Sequence, residues 1–258
     1  MAVENFENRV PERINIPDDP VSLMTGFSIE AIVGALGGSP EPLVDAIKEG
    51  HIRGAAAVVG CNNPKFKQDL GHVELTRRLI ENDILVVVTG CATVADGKAG
   101  LMVPEAADQA GPGLQAVCKA LGIPPVLHLG SCVDNTRILV LASALANYLG
   151  TDISALPLAG AAPEWYSEKA VAIGTYVVAS GIFTVLGIAP PVFGSLNVVK
   201  LLTDGLEGVF GATFAVEPDP KRAASLIRRH IEGKRAALGL SSTEPERIEM
   251  PQSEMTLA

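Results

Sequence analysis

Cysteine is scarce in this sequence. The 258 residues include only four cysteines, all in apolar settings. A small secreted protein that depends on disulfides carries a denser set of cysteines, so a disulfide framework is excluded. The chain is 48% hydrophobic and 19% charged, which is enough apolar material to form a core without cross-links. We therefore predict a reducing environment and a cytoplasmic location.

Basic charge is also in short supply. Lysine and arginine number 20 against 29 aspartates and glutamates, and the formal net charge is −9. Binding to a phosphate backbone is driven by clustered lysine and arginine, so we predict no nucleic-acid partner. The single dense basic run, KRAASLIRRHIEGKR at 221–235, has apolar residues at helical spacing. It predicts an amphipathic helix whose basic face is solvated.

Signals for export and membrane insertion are missing as well. The first twenty residues are polar and charged, with no apolar stretch behind a basic start, so we expect no secretory signal. The uncharged stretch 170–193 is long enough to cross a bilayer, but three glycines and the Pro190–Pro191 pair interrupt it. We predict a helix and a buried strand there, and no membrane span. No glycine-rich phosphate-binding motif opens a helix either.

Alternating patterns dominate the remainder of the chain. From about residue 52, apolar runs ending at Gly60, Gly90 and Gly130 predict strands, two later runs at 182–187 and 210–216 predict two more, and segments of helical period separate them. This order is typical of an α/β fold, a Rossmann-like parallel sheet with helices on both faces. We predict one domain over residues 1–240, with a short helical segment at about 1–51, and a polar, disordered tail at 241–258.

Three of the four cysteines follow predicted strands. Cys61, Cys91 and Cys132 come directly or almost directly after the strand-ending glycines. Ligands of open parallel sheets collect at this edge, and helix N-termini there favour the thiolate that binds metal. The alternative is that these cysteines are inert core residues, as we predict for Cys118 in the middle of a helix. Thiolates without a histidine cluster suit iron–sulfur, copper, zinc or nickel chemistry.

Four sequence motifs, in this order, resemble those of a known family: VVGCNNPK, TGCATVADGKAGLM, LHLGSCVDNTR and APEWYSEKAVAIG. They closely resemble the C-terminal third of the nickel-containing anaerobic carbon monoxide dehydrogenases, with similarity from about Asn5 to Leu240. The resemblance implies a domain with a hybrid-cluster-like architecture that holds part of a nickel–iron–sulfur (Ni-4Fe-4S type) cluster. It also implies the reaction CO + H2O to CO2, two protons and two electrons, with a ferredoxin-like electron acceptor and a homodimeric enzyme.

The same resemblance implies roles for individual residues. Cys61 and Cys91 bind irons, and Cys132 binds nickel. Lys169 is the active-site acid and hydrogen-bond donor beside bound CO2, and Ile173 shapes the gas-binding pocket. Without the resemblance, Lys169 would be interpreted as a solvated helix lysine paired with Glu168 or Glu164. Because Lys169 and Ile173 are four residues apart, we expect them to share one helix face.

The family's other ligands have no counterpart in this chain. Its upstream domains carry further histidine and cysteine ligands, proton-handling residues and electron-relay clusters, so the resemblance implies a site that is incomplete without those domains or a companion subunit. Two hypotheses follow. The chain is a component of a carbon monoxide dehydrogenase, or it is a non-catalytic α/β binding or scaffold protein with a simpler metal centre or none.

Overall fold

A six-stranded parallel sheet forms the centre of the computed structural model, which describes residues 1–16 and 18–242. The strands are β1 (Gly54–Val58), β2 (Ile84–Thr89), β3 (Val126–Gly130), β4 (Leu158–Ala162), β5 (Phe183–Leu186) and β6 (Phe214–Val216), in the spatial order β3-β2-β1-β4-β5-β6. Every neighbouring pair is parallel. The α/β, Rossmann-like fold predicted from the sequence is confirmed.

Helices surround this sheet and connect its strands. They are α1 (Ile29–Ala35), α2 (Glu41–Lys48), α3 (Leu70–Glu81), α4 (Cys91–Lys98), α5 (Pro112–Leu121), α6 (Asn135–Leu149), α7 (Glu168–Ala179), α8 (Leu196–Lys200), α9 (Leu206–Phe210) and α10 (Pro220–Ala237). A π-helical turn, Leu201–Gly205, joins α8 to α9, and 3-10 turns lie at Glu4–Asn8, Pro11–Arg13, Pro104–Gln109, Cys132–Asp134 and Ile153–Ala155.

The core lies between the sheet and these helices. All six residues of β2 are buried, and α3 and α10 pack against each other over the sheet through Leu75, Leu79, Ile227 and Ile231. A continuous apolar strand such as β2 is what a sheet covered on both faces produces. Gly122 and Gly150 end α5 and α6 in the left-handed conformation that glycine adopts without steric cost.

The uncharged stretch 170–193 divides as predicted. Its first part lies in α7, which is 12 residues long, and its second part contains β5, which is 4 residues long. Within the part of the chain that the structure describes, no helix is both long and apolar enough to cross a membrane. The predicted disordered tail lies, from residue 243 onward, outside the described residues.

The prediction of a solvated basic face on α10 is only partly right. Arg235 is completely buried, and its guanidinium donates to the carbonyl oxygens of Ile47 at 2.8 Å and Arg53 at 3.1 Å. Glu232, also buried, forms a two-pronged ion pair with the Arg53 side chain. These groups are satisfied where α10 crosses the beginning of β1, so the basic pattern of this helix serves packing as well as solvation.

Candidate metal centre

The order of the strands places three cysteines at one edge of the sheet. From β1 the chain winds outward through β2 and β3, and it then returns to β4 on the other side of β1, so the direction of winding reverses between β1 and β4. Ligands of open α/β sheets bind at the carboxyl ends of the strands beside this reversal. Cys61, Cys91 and Cys132 follow β1, β2 and β3 at that edge.

The three cysteine-bearing loops contact one another through their backbones. The Cys91 N–H donates to the Gly60 carbonyl at 3.1 Å, and the Gly90 N–H donates to the Gly130 carbonyl at 3.3 Å. Gly90 has φ +66°, and a Cβ added there would lie 3.1 Å from the Cys132 Cβ. Glycine is therefore needed at position 90, because a side chain would separate the loops that carry the thiols.

Cys132 occupies a short 3-10 turn that leads into α6. Ser131 precedes it and forms a capping box with Asp134, whose Oδ2 accepts from the Ser131 N–H at 2.8 Å and from its hydroxyl at 2.9 Å. At the start of α6, the buried Asn135 side chain is hydrogen-bonded to the Thr89 hydroxyl at the end of β2. The turn holding Cys132 is thus fixed at both ends.

Lys169 points at Cys132. It lies in the first turn of α7, and its Nζ donates to the Cys132 Sγ at 2.7 Å. The pKa of Lys169 is raised, first by this hydrogen bond, then by the charge of Cys132, with smaller contributions from the charges of Cys61 and Cys91. Lys169 is exposed, but its hydrogen-bond partner is Cys132 rather than Glu168 or Glu164, the two partners that its sequence alone suggests.

Cys61 is held between the β1 and β4 loops. Its sulfur lies 3.9 Å from the Ser167 hydroxyl, and its carbonyl lies 2.9 Å from His72 Nε2. His72 is completely buried, with its pKa lowered chiefly by burial. Sequence reasoning gave His72 no role, because the helical pattern of α3 does not show that its first turn faces a cysteine loop.

Two further side chains join these loops, and no pattern in the sequence indicates either role. Glu164, completely buried, accepts hydrogen bonds from the Asn62 amide at 2.9 Å and from the Gly71 N–H at 2.8 Å. The Asn63 amide donates to the Trp165 carbonyl at 3.1 Å. These residues stand in the GCNN and PEW phrases, about a hundred residues apart, so only the fold shows that they meet.

Cys118 is separate from this group in chemistry. It is buried in α5, and burial raises the pKa of its thiol to about 12. A thiol that stays protonated is a poor metal ligand. The prediction that Cys118 is a small buried hydrophobe agrees with this environment.

A cavity of about 450 Å³ begins at the site. Cys61, Cys132, Lys169 and Ile173 lie at one end, and the remainder of its lining is almost entirely apolar, with Ala55 and Ala57 of β1 and residues of α1, α5 and α6 among its walls. Lys169 and Ile173 therefore share one face of α7, as their spacing predicts. The cavity offers a small uncharged molecule a route of contact with the thiol end.

The thiols do not converge on a single point. Among residues 1–16 and 18–242, no group of three or more histidine, cysteine or acidic side chains is close enough to hold one metal ion. The three thiols instead stand on separate loops that are hydrogen-bonded to one another through their backbones. Such a donor set suits a group with several metal atoms better than one ion.

Comparison with known proteins agrees with this geometry. Residues 1–221 match the Prismane/CO dehydrogenase family. Carbon monoxide dehydrogenase 1 of Methanosarcina mazei is 65% identical over 240 residues, covering 93% of this chain and 38% of that protein. The carbon monoxide dehydrogenase of Rhodospirillum rubrum is 45% identical over 254 residues, again 93% of this chain and 40% of the relative.

Solved structures give the same result. A nickel-free crystal structure of carbon monoxide dehydrogenase from Thermococcus sp. AM4 superposes with a TM-score of 0.89 at 55% identity, over 93% of this chain and 38% of that one. Carbon monoxide dehydrogenase IV from Carboxydothermus hydrogenoformans gives a TM-score of 0.87 at 49% identity, over 93% and 40%. This chain spans about two fifths of the length of the relatives it matches, and it belongs to the Prismane/CO dehydrogenase family.

Proposed function

We propose that this chain is the cluster-binding C-terminal part of a nickel–iron–sulfur carbon monoxide dehydrogenase. The reaction is the oxidation of CO with water to CO2, two protons and two electrons. The observation that carries this proposal is the contact of Lys169 with Cys132, beside Cys61 and Cys91, at the edge where the winding of the sheet reverses. Relatives at 65% and 45% identity bear the name carbon monoxide dehydrogenase.

The donor set fits a nickel–iron–sulfur cluster. Cys61 and Cys91 would bind irons and Cys132 would bind nickel, since thiolates are the protein ligands that such clusters use. The three loops are hydrogen-bonded to one another through Gly60, Gly90 and Gly130, so the backbones that carry the thiols are held together before any metal arrives. When bound, the cluster supplies the redox chemistry that takes two electrons from the substrate.

Lys169 supplies a proton donor at the metal end of the site. Its raised pKa keeps the amine protonated at neutral pH, and an ammonium beside the substrate stabilises negative charge that develops on an oxygen atom. The backbone of Lys169 lies in the first turn of α7, which begins at Glu168, and the hydrogen bond to Cys132 directs its ammonium to the metal end of the site. Lys169 is thus suited to hold CO2 by a hydrogen bond and to return a proton to solvent.

Ile173 and the apolar cavity exclude water from the opposite side. Ile173 lines the cavity one helical turn after Lys169, so an ammonium and an apolar wall address the same small space. CO is small, uncharged and weakly hydrated, so it enters an apolar cavity at little desolvation cost. Charged species lose hydration on the same route, and this favours CO over anions as the substrate.

This chain works together with further polypeptide under this proposal. Its relatives are about two and a half times as long, and we propose that the missing ligands and the route for electrons come from domains or a companion subunit equivalent to that remainder. A ferredoxin-like protein accepts the electrons, and the assembled enzyme is a cytoplasmic homodimer. The alternative, a binding or scaffold protein with a simpler metal centre or none, predicts no dependence on a companion.

Anaerobic metal analysis tests the proposal. The chain is purified alone and with a co-expressed polypeptide covering the upstream part of the Methanosarcina mazei relative, and nickel, iron, sulfide and CO-dependent viologen reduction are measured on both samples. We expect metals and activity in the co-expressed sample, loss of nickel and of activity with Cys132→Ala, and retention of both with Cys118→Ala. A stable complex without metals or activity would overturn the proposal, as would equal activity of the Cys132→Ala variant.

A further inference from the structure

A single buried carboxylate connects the two loops that carry the site. Glu164 has no exposed surface and lies in the loop between β4 and α7, five residues before Lys169. Its Oε1 accepts from the Gly71 N–H at 2.8 Å, and its Oε2 accepts from the Asn62 amide at 2.9 Å and from the Asp69 N–H at 3.3 Å. A buried carboxylate is costly unless such donors satisfy it, so its environment is built around it.

The donors to Glu164 all belong to the segment that presents Cys61. Asn62 follows Cys61 directly, and its amide nitrogen also donates to the Asp69 side chain at 2.9 Å. Asp69 and Gly71 mark the beginning of α3, and the next residue of that helix, His72, contacts the Cys61 carbonyl. Glu164 therefore fixes both the chain after Cys61 and the helix whose histidine lies behind Cys61.

The loop between β4 and α7, which carries Glu164, is also held by several hydrogen bonds. The residue after Glu164 is Trp165, whose carbonyl accepts from Asn63 and whose indole N–H donates to the Ile188 carbonyl at 2.7 Å. Two residues further on, Ser167 lies beside the Cys61 sulfur. Lys169 follows in the first turn of α7, so its place relative to Cys61 depends on how these two loops are joined.

Close packing leaves little freedom around the carboxylate. A Cβ added to Gly71 would lie 3.1 Å from the Pro163 Cβ and 3.2 Å from the Glu164 Cγ. Asp69, which adopts a left-handed backbone conformation at φ 70°, is additionally paired with Lys98 at the end of the helix that begins with Cys91. The network thus extends from the β4 loop through the Cys61 loop to the helix of Cys91.

We infer that Glu164 is a positioning residue, which sets the placement of the Cys61 thiol relative to Lys169 through its hydrogen bonds to Asn62, Asp69 and Gly71. The inference rests on the proposed function, because the positioning matters only in a site where Cys61 binds metal and Lys169 donates a proton. The joining of the two loops is a property of the chain itself. It can therefore be measured without a metal and without activity.

Site-resolved thiol alkylation tests the inference on the metal-free chain. Wild type and Glu164→Gln are treated with iodoacetamide under native conditions, and the rate at each cysteine is read by peptide mass spectrometry. Glutamine keeps the size but turns one acceptor oxygen into a donor that faces N–H groups. We expect alkylation of Cys61 to rise about tenfold, as loss of one charge-assisted hydrogen bond increases local opening, while Cys118 stays protected.

Glu232→Gln is the matched control. Glu232 is also a nearly fully buried glutamate in a charge-assisted contact, but it pairs with Arg53 before β1, at the opposite edge of the sheet. We expect this variant to lower the unfolding temperature and to leave the ratio of the Cys61 to the Cys91 alkylation rate unchanged. An equal change of that ratio in both variants would overturn the inference, because the effect would then be general destabilisation.

Asn62→Ala removes the partner of Glu164 on the other loop. It provides a second test of the same contact if Glu164→Gln does not fold. It should raise the Cys61 rate as well, and the double variant should add little to the larger single effect, as residues of one network do. A wild-type rate at Cys61 in Asn62→Ala would overturn the inference. If the ratio responds but the chain and its companion oxidise no CO, the proposed function fails and the positioning role stands.

Discussion

The Lys169 Nζ lies 2.7 Å from the Cys132 Sγ, although 37 positions separate the two residues in the chain. One residue stands in the first turn of α7 and the other in the turn between β3 and α6, on opposite sides of the point where the sheet's winding reverses. An ammonium and a thiol are thus brought together by topology, and each changes the chemistry of the other.

Replacing Cys132 tests that relationship directly. Because the hydrogen bond to Cys132 is the largest cause of the raised pKa of Lys169, Cys132→Ala should lower that pKa and increase the free-amine fraction. We expect acetylation of Lys169 at pH 9 to be several-fold faster in this variant, measured by peptide mass spectrometry. Cys118→Ala should leave the rate unchanged, and an unchanged rate in Cys132→Ala would show that the contact does not persist in solution.

The buried Asp96 makes the stability of the fold decrease between acidic and neutral pH. Burial raises its pKa to about 7, against the hydrogen bond that Thr76 donates to it at 2.9 Å. The folded state keeps the proton that the unfolded state loses above about pH 4, so stability falls as pH rises from about 4 to about 7. Asp96→Asn should remove this loss, which is about 4 kcal/mol in full.

Urea unfolding at pH 5 and pH 8 measures that effect. We expect Asp96→Asn to gain stability over wild type at pH 8 relative to pH 5. Asp108→Asn is the control, because Asp108 is an exposed aspartate paired with Lys119. Parallel pH dependence of Asp96→Asn and wild type would mean that Asp96 is ionised in the folded protein.

His230 has the opposite pH dependence. It stacks on Phe183 with ring centroids 4.7 Å apart, and burial lowers its pKa to about 4. Below about pH 6.5 the histidine is protonated in the unfolded state but stays neutral in the folded state. Stability is therefore lost as pH falls from about 6.5 to about 4, by about 3 kcal/mol in total.

A His230→Gln variant should show a smaller decline between pH 7 and pH 4.5 in urea unfolding. His51→Gln serves as control, since His51 is half exposed and sits beside Glu49 on the surface. If the two variants decline in the same way, protonation of His230 does not govern acid stability.

Two glycine-to-alanine substitutions should change the free energy of unfolding in opposite directions. A Cβ at Gly187, just after β5, would lie 1.9 Å from the Pro163 carbonyl oxygen, so Gly187→Ala must move backbone at the base of the β4 loop and should cost about 3 kcal/mol or more. Gly233 lies within α10 with nothing near its Cβ position, and Gly233→Ala should gain about 0.5–1 kcal/mol. Denaturant midpoints decide both, and a neutral Gly187→Ala would contradict the close approach.

Much of the fold follows from local patterns in the sequence. Apolar runs that end in glycine identified β1, β2 and β3. Of these, β2 is buried along its whole length, as its uninterrupted apolar run predicts, whereas β1 and β3 are partly buried. The strand β4 was missed. Its five residues, LAGAA, are small and lack the β-branched side chains that mark strands, and Gly160 is packed against Thr184 of β5.

The candidate site, like the fold, was only partly predictable from the sequence. Strand-end spacing placed the three cysteines at one edge, since parallel strands all end there. The active-site role of Lys169 was implied by the family resemblance, whereas its contact with Cys132 and the roles of His72 and Glu164 came from neither source. Hydrogen bonds between residues 93 to 106 positions apart, such as those linking the Cys61 loop to the β4 loop, depend on the finished fold.

The strand order also bears on the order of folding and cluster insertion. Cys61, Cys91, Cys132 and Lys169 follow four different strands of a parallel sheet, so bringing them together requires long-range contacts between those strands. A nascent chain has the thiols but lacks their arrangement. Under the proposed function, the cluster is therefore inserted after these strands have assembled, since the ligand site does not exist in the unfolded chain.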